Sequence, residues 1–293
     1  MDRRTFLKGT AASLVAGSLL GRQALARSGS TVAVAEGGDY AAITRRAVAA
    51  LGGMGAFVKR GDVVVLKPNM GWDRAPEFAA NTHPLVVRAL AEECLTAGAK
   101  RVKVFDHTCN DPRRCYINSG IQLALKGMKG VEVRQIEPER FKMVKLNGQF
   151  LKEWELYGEA LNANVFINVP IAKHHGLSRL TLGLKNIMGV MGGNRGYTHR
   201  NLELALADVN HVLKSRLIVI DATRILTAHG PQGGSLADVR VLNTVIASRD
   251  IVAADAYATT LFGMRPADIP ITVAAARRGL GEMDLRRVQV IKA

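Results

Sequence analysis

The stretch Asn162-Ala163-Asn164-Val165-Phe166-Ile167-Asn168-Val169-Pro170 decides the fold. Val165, Phe166, Ile167 and Val169 form a short apolar run closed by proline, which reads as a buried strand. The chain then changes character. Ile171-Ala172-Lys173-His174-His175-Gly176 is followed by Thr181-Leu182-Gly183-Leu184-Lys185-Asn186-Ile187-Met188-Gly189 and, further on, by His199. Glycines let backbone amides approach a ligand, and cations beside amides make an anion site. Imidazoles bind metals or move protons. The mixture of Lys173, Arg179 and Lys185 with His174, His175 and His199 reads as a loop that floors a ligand site. The competing reading is a glycine-rich surface loop with solvated cations.

Outward from this stretch, strand and helix alternate. Thr31–Ala35, Asp62–Lys67, Arg101–Asp106, Val131–Gln135, Arg216–Asp221, Val239–Ala247 and Val288–Ile291 read as strands. Helices are expected over Tyr40–Leu51, from an Asn81-Thr82 cap to Ala97, over Tyr116–Met128, Asn201–Leu213 and Asp250–Leu261, and before Gly279. The apolar Asp-Val-Val-Val-Leu-Lys strand suits a sheet covered on both faces. Asn147-Gly148 between Lys142–Leu146 and Gln149–Trp154 signals a hairpin. The expected architecture is one doubly wound α/β domain over residues 27–293: a mostly parallel sheet, helices on both faces, and an inserted β-hairpin near 142–154.

Ligands of such sheets lie beyond the carboxyl ends of the strands. Polar groups recur there: Lys67 and Asn69, Asp106 and His107, Lys173 through His175, Asp221, and then His229. His211 reads as a surface or packing residue within a helix, and His83 as part of a helix start. Trp72 either walls the site or packs under its loop.

Residues 1–26 read differently. Arg3-Arg4-Thr5-Phe6-Leu7-Lys8, an uncharged run from Gly9 to Gly21, and Ala24-Leu25-Ala26 resemble a twin-arginine export signal with its cleavage site. The run is too short to remain as a membrane anchor. A periplasmic or otherwise extracytoplasmic protein is expected, with the twin-arginine translocase as a transient partner and no stable membrane anchor after cleavage. The formal charge is +15, yet aromatics are only 5% and no basic run is interleaved with them, which argues against nucleic acid. The three cysteines, Cys94, Cys109 and Cys115, contain no Cys-x-x-Cys spacing, so no iron–sulfur cluster motif is present. Cys94 reads as a buried apolar residue. Cys109 and Cys115 share a loop and could pair, stay free or supply a ligand.

The pieces Lys67-Pro68-Asn69, Asn81-Thr82-His83-Pro84, Asn168 through His175, Thr181 through Gly189, His199, Ile220-Asp221-Ala222, His229-Gly230-Pro231 and Asp250 through Asp255 together resemble the family known as domain of unknown function 362. Some members of that family carry a ferredoxin-like segment, whose cysteines this chain lacks. The order of a histidine (His174 or His175), Lys185 and then His199 is also distantly similar to nickel-pincer lactate racemase and its relatives. That likeness implies a lysine that anchors a cofactor, a histidine that ligates the metal, and other histidines in acid–base roles. The paired glycines around that lysine are not reproduced here.

Together these readings predict a metal- or anionic-cofactor-dependent enzyme, or alternatively a non-catalytic protein that binds and delivers a metal or small anion. His174, His175 and Asp221 are the expected catalytic groups. Lys67, Asn69, Lys173, Lys185, Asn186 and Gly189 are expected to hold a small anionic ligand or cofactor. His199 and His174 are the expected metal ligands.

Overall fold

The computed structural model describes residues 29–293, so the expected export signal lies outside the described residues. Its strands in chain order are β1 (Thr31–Glu36), β2 (Val63–Pro68), β3 (Arg101–Val104), β4 (Val131–Val133), β5 (Phe141–Lys145), β6 (Glu153–Tyr157), β7 (Val165–Val169), β8 (Ile171–His175), β9 (Arg179–Thr181), β10 (Leu217–Leu226), β11 (Val239–Ser248) and β12 (Gln289–Lys292). The main sheet runs β12-β1-β11-β10-β7-β2-β3-β4. Its pairs are parallel except where β11 lies antiparallel between β1 and β10.

Both faces of this sheet are covered, as the unbroken apolar runs require. Val64 and Leu66 of β2 pack with Ile43 and Val48 of the helix Tyr40–Ala49 and with Val86 and Leu90 of the helix Pro84–Thr96. Val65, between them, packs on the opposite face with Ile218 and with Leu206 and Val209 of the helix Leu202–Val212. The strand period of two sends neighbours to opposite cores. The helix Ile251–Thr260 is buried along almost all its length, and Asp250 caps it by accepting from the amides of Val252 and Ala253 at 2.9 Å.

Several boundaries differ from the expectation, each for a local reason. The segment after Pro170 is not a loop: β8 resumes the strand and pairs with β9. This is possible because β10 is ten residues long. Its start pairs with β7, and its later part, from Asp221, pairs with β8. Asp221 therefore lies mid-strand and not at a strand end. The predicted helix Tyr116–Met128 is two short helices, Pro112–Asn118 and Ile121–Leu125, divided at Gly120 with φ +76°. The cap of Pro84–Thr96 is His83, whose Nδ1 accepts from the amide of Leu85, and not Asn81 or Thr82. The inserted hairpin exists as a separate two-stranded sheet, β5 against β6. Its turn is not the Asn147-Gly148 pair alone. Residues 146–152 fold over Asp208, whose carboxylate accepts from the amides of Gln149, Phe150 and Leu151 at 2.9 Å and pairs with Arg278. Among the described residues, no helix is long and apolar enough to cross a membrane.

Candidate functional site

Parallel pairing of β2 with β3, Leu66 opposite Val104, carries Lys67 and Asp106 to the same end of the sheet. Lys67 Nζ lies 2.8 Å from Asp106 Oδ1, and the two side chains are 1% and 3% exposed. The ammonium also donates to the carbonyl of Pro68 and to Asn186 Oδ1, each at 2.8 Å. Asp106 Oδ2 accepts from the amide of Met70 at 2.6 Å. Burial lowers the pKa of Lys67, and Asp106 offsets part of that shift.

Asn186 ties this pair to the Gly183–Asn186 helix. Its amide donates to the Lys67 carbonyl at 3.1 Å and to Asn168 Oδ1 at 2.8 Å. The helix start is held by Asp255, whose two oxygens accept from the amides of Gly183 and Leu184 at 2.7 and 2.9 Å. Gly189 is required by space. A Cβ there would fall 1.7 Å from Asp106 Oδ1 and 2.4 Å from Lys67 Nζ. Its carbonyl accepts from the amide of His107 at 2.8 Å.

Above this floor opens a cleft of about 460 Å³. Lys67, Asn69, Lys173, His175, Lys185, Asn186, Gly189 and His199 all line it, so the structure converges most of the residues singled out from sequence. Lys173 Nζ donates to the carbonyl of Ala80 at 2.6 Å, and lies 5.5 Å from the Trp72 ring centroid. Lys185 Nζ meets the Met188 thioether at 3.2 Å. It has no oxygen or nitrogen partner among the described residues. Burial lowers Lys173 to about 7 and Lys185 to about 8, from an ordinary 10.5. Arg195 also lines the cleft, where it donates to the carbonyls of His107 and Thr108 at 2.9 Å. Asp106, already paired with Lys67, is the one carboxylate among the described lining residues. The cleft therefore carries an excess of positive charge.

The imidazoles divide by tautomer. His175 Nδ1 accepts from the amides of Leu177 and Ser178, so the neutral ring bears its proton on Nε2 and is a donor. Burial and then the nearby Lys185 lower its pKa to about 3, so it stays neutral. His107 is the reverse. Its Nδ1 lies 2.8 Å from the carbonyl of Met191, which fixes the proton there and leaves Nε2 as an acceptor. Burial, followed by Arg195, lowers its pKa as well. A neutral acceptor and a neutral donor on one cleft suit proton transfer.

Two expected catalytic groups stand elsewhere. Asp221 is wholly buried and does not line the cleft. Oδ2 accepts from the amide of His83, and Oδ1 from the amide and hydroxyl of Thr223. It anchors the start of Pro84–Thr96. His174 points away from Lys173 and His175 because β8 alternates, and its Nδ1 accepts from the amide of Gly230 at 3.1 Å. A neutral His174 thus carries its proton on Nε2 and offers no lone pair to a metal. The expected metal pair of His174 and His199 is not assembled: His199 is an exposed rim residue. Among the described residues, no three His, Cys, Asp or Glu side chains converge to hold a metal ion. The residues present do not fit a metal held by protein ligands alone. Cys109 and Cys115 are both free thiols, Cys109 exposed on the cleft and Cys115 buried.

The sequence reading missed Arg195, and it placed His107 among the polar groups at strand ends and Asp255 in a helix motif without giving either a role. Arg195 stood in plain view in Gly192-Gly193-Asn194-Arg195, beside the other cations. The role of His107 depends on a hydrogen bond to a residue far along the chain, and no local pattern encodes it.

A thylakoid-associated protein of Synechocystis sp. is 29% identical over 253 residues, spanning 84% of this chain and 77% of its own. The lactate racemase apoprotein of Thermoanaerobacterium thermosaccharolyticum is a structural neighbour at TM-score 0.49 and 11% identity, over 78% of this chain. The match spans 56% of that protein's length. The family model described as domain of unknown function (DUF362) matches residues 64–260, and the chain belongs to that family.

Proposed function

We propose that the protein is an enzyme that binds a small anionic ligand or cofactor in this cleft and transfers a proton on it. The observation that carries the reading is Lys185: an ammonium 7% exposed, facing the cleft, with a thioether as its contact. A buried cation without a counter-charge is costly, and an anion entering beside it relieves that cost. Lys173 supplies a second positive group, and Arg195 a third. His107 Nε2 is placed to accept a proton and His175 Nε2 to donate a hydrogen bond to developing negative charge.

The test titrates phosphate, sulfate and small carboxylates into the full-length protein by calorimetry, with Lys185→Met beside it. Binding that weakens about tenfold or more in the variant supports the anion site. Exchange of a carbon-bound hydrogen of the bound carboxylate with D2O, lost in His107→Gln, supports the enzyme. Binding without exchange turns the reading toward a delivery protein, and no anion binding overturns it.

The cellular reading rests on residues 1–26 and on the thylakoid association of the Synechocystis relative. In this proposal the mature protein works outside the cytoplasm, after twin-arginine export. Replacing Arg3 and Arg4 together by lysine then traps the precursor in the cytoplasm on fractionation. Continued export of that variant contradicts the route.

A further inference from the structure

Cys109 has no part in the proton-transfer scheme, yet its thiol stands on the same cleft. Three donors to one carbonyl fix its position. The amides of Cys109 and Asn110 donate to the carbonyl of Gly71 at 2.8 and 3.3 Å, and the Cys115 thiol does so at 3.5 Å. Gly71 borders the sulfur, and a methyl on it would reach ordinary contact with it. A methyl placed there would lie 3.9 Å from Cys109 Sγ, 3.9 Å from Asp106 Oδ2 and 3.7 Å from Asn69 Oδ1. Buried Lys185, whose ammonium meets only the Met188 thioether among the described residues, lines the same cleft. The Cys109 sulfur and the Lys173 and Lys185 ammoniums share one electrostatic neighbourhood. His175 offers an Nε2–H on the same wall.

We infer that Cys109 is a nucleophile that adds reversibly to the carbonyl carbon of an anionic carbonyl compound, a 2-oxo carboxylate being the simplest class. The inference rests on the anion-binding reading of the cleft. In the addition, a bond forms between Cys109 Sγ and the carbonyl carbon. The carbonyl π pair moves onto its oxygen, and the thiol proton ends there as a hydroxyl. No group leaves, and nothing is oxidised or reduced. Lys185 and Lys173 hold the carboxylate, and His175 donates to the oxygen as it gains charge.

The test uses glyoxylate as the probe on the full chain, with its neutral counterpart glycolaldehyde. Protection of Cys109 against alkylation is read by peptide mass spectrometry, and N-acetylcysteine sets the reference affinity of an isolated thiol. Glyoxylate is expected to protect Cys109 at a concentration about tenfold below that reference, a gain of the size one nearby cation gives in a partly buried site. Glycolaldehyde shows no such gain. Lys185→Gln erases the gain and Lys185→Arg keeps it, which separates charge from a folding defect.

A companion measurement compares iodoacetate with iodoacetamide at Cys109. Iodoacetate outpacing iodoacetamide, with no glyoxylate gain, refutes the thiol addition and leaves the anion site standing. Neither an iodoacetate advantage nor a glyoxylate gain brings down the anion site and the inference with it.

Discussion

Gly189 faces Asp106 so closely that a single methyl on the glycine would sit 1.7 Å from Asp106 Oδ1. The glycine is therefore the lid on a buried ion pair, Lys67 with Asp106, and not a hinge in a loop.

Gly189→Ala is expected to force the pair apart. Breaking a buried pair by removing one partner costs about 3–5 kcal/mol, because the remaining charge stays buried. Asp106→Asn should fall in that range, and Gly189→Ala should approach it. Urea unfolding of the full chain checks both. A loss below about 1 kcal/mol in Asp106→Asn would show that the pair does not anchor this end of the sheet.

The two cleft histidines should show opposite tautomers in long-range 1H–15N spectra. His175 is expected as the Nε2–H form and His107 as the Nδ1–H form at neutral pH. His175, held near 3, stays neutral throughout the mildly acidic range. Finding His107 as Nε2–H would remove the proposed base.

Stability should rise between about pH 7 and pH 9. Lys173 and Lys185 are depressed to about 7 and 8, while the unfolded chain titrates near 10.5. In that window the unfolded state binds more protons, so alkali favours the folded state by up to about 1.4 kcal/mol per pH unit for each proton difference. Above pH 9 the buried thiols begin to oppose this rise, and the sign reverses only as the unfolded lysines lose their protons near 10.5. Burial raises Cys94 and Tyr116, so the folded chain keeps protons that the unfolded chain releases. Asp255, raised by burial to about 7, contributes below the window with the opposite slope. Denaturant titrations at pH 7, 8 and 9 should show the rise, and Lys173→Met should flatten it. An equally steep rise in that variant would assign it to other groups.

Asp208 should govern the loop between β5 and β6. Its carboxylate, 1% exposed, accepts from three consecutive amides and pairs with Arg278. Asp208→Ala leaves those amides unsatisfied, at about 1–3 kcal/mol for each group that stays buried. The expected result is rapid proteolysis within residues 146–152, at sites that resist cleavage in the parent chain. Unchanged cleavage would mean that the loop is held by its apolar contacts, Leu146 and Leu151.

Much of the architecture was legible before any coordinates. The apolar runs Val63–Leu66 and Val165–Val169 could only be strands covered on both faces, and helices such as Leu202–Val212 announced themselves by their periodic apolar positions. The chemical types in the cleft were legible too, because lysine, histidine and glycine are concentrated between Pro170 and His199. Local sequence carried those signals, and it specified them through hydrophobic period and turn chemistry. What it did not carry was direction. Asp221 and His174 look as reactive in the sequence as Asp106 and His175. The pleat of β8, the length of β10 and the bonds made by distant residues turned the first two away and the others inward. The tautomer of His107, the isolation of Lys185 and the reach of Cys109 were likewise decided only when strands far apart in the chain were laid side by side. Hydrogen-bond geometry and burial are properties of the assembled fold, and no run of neighbouring residues contains them.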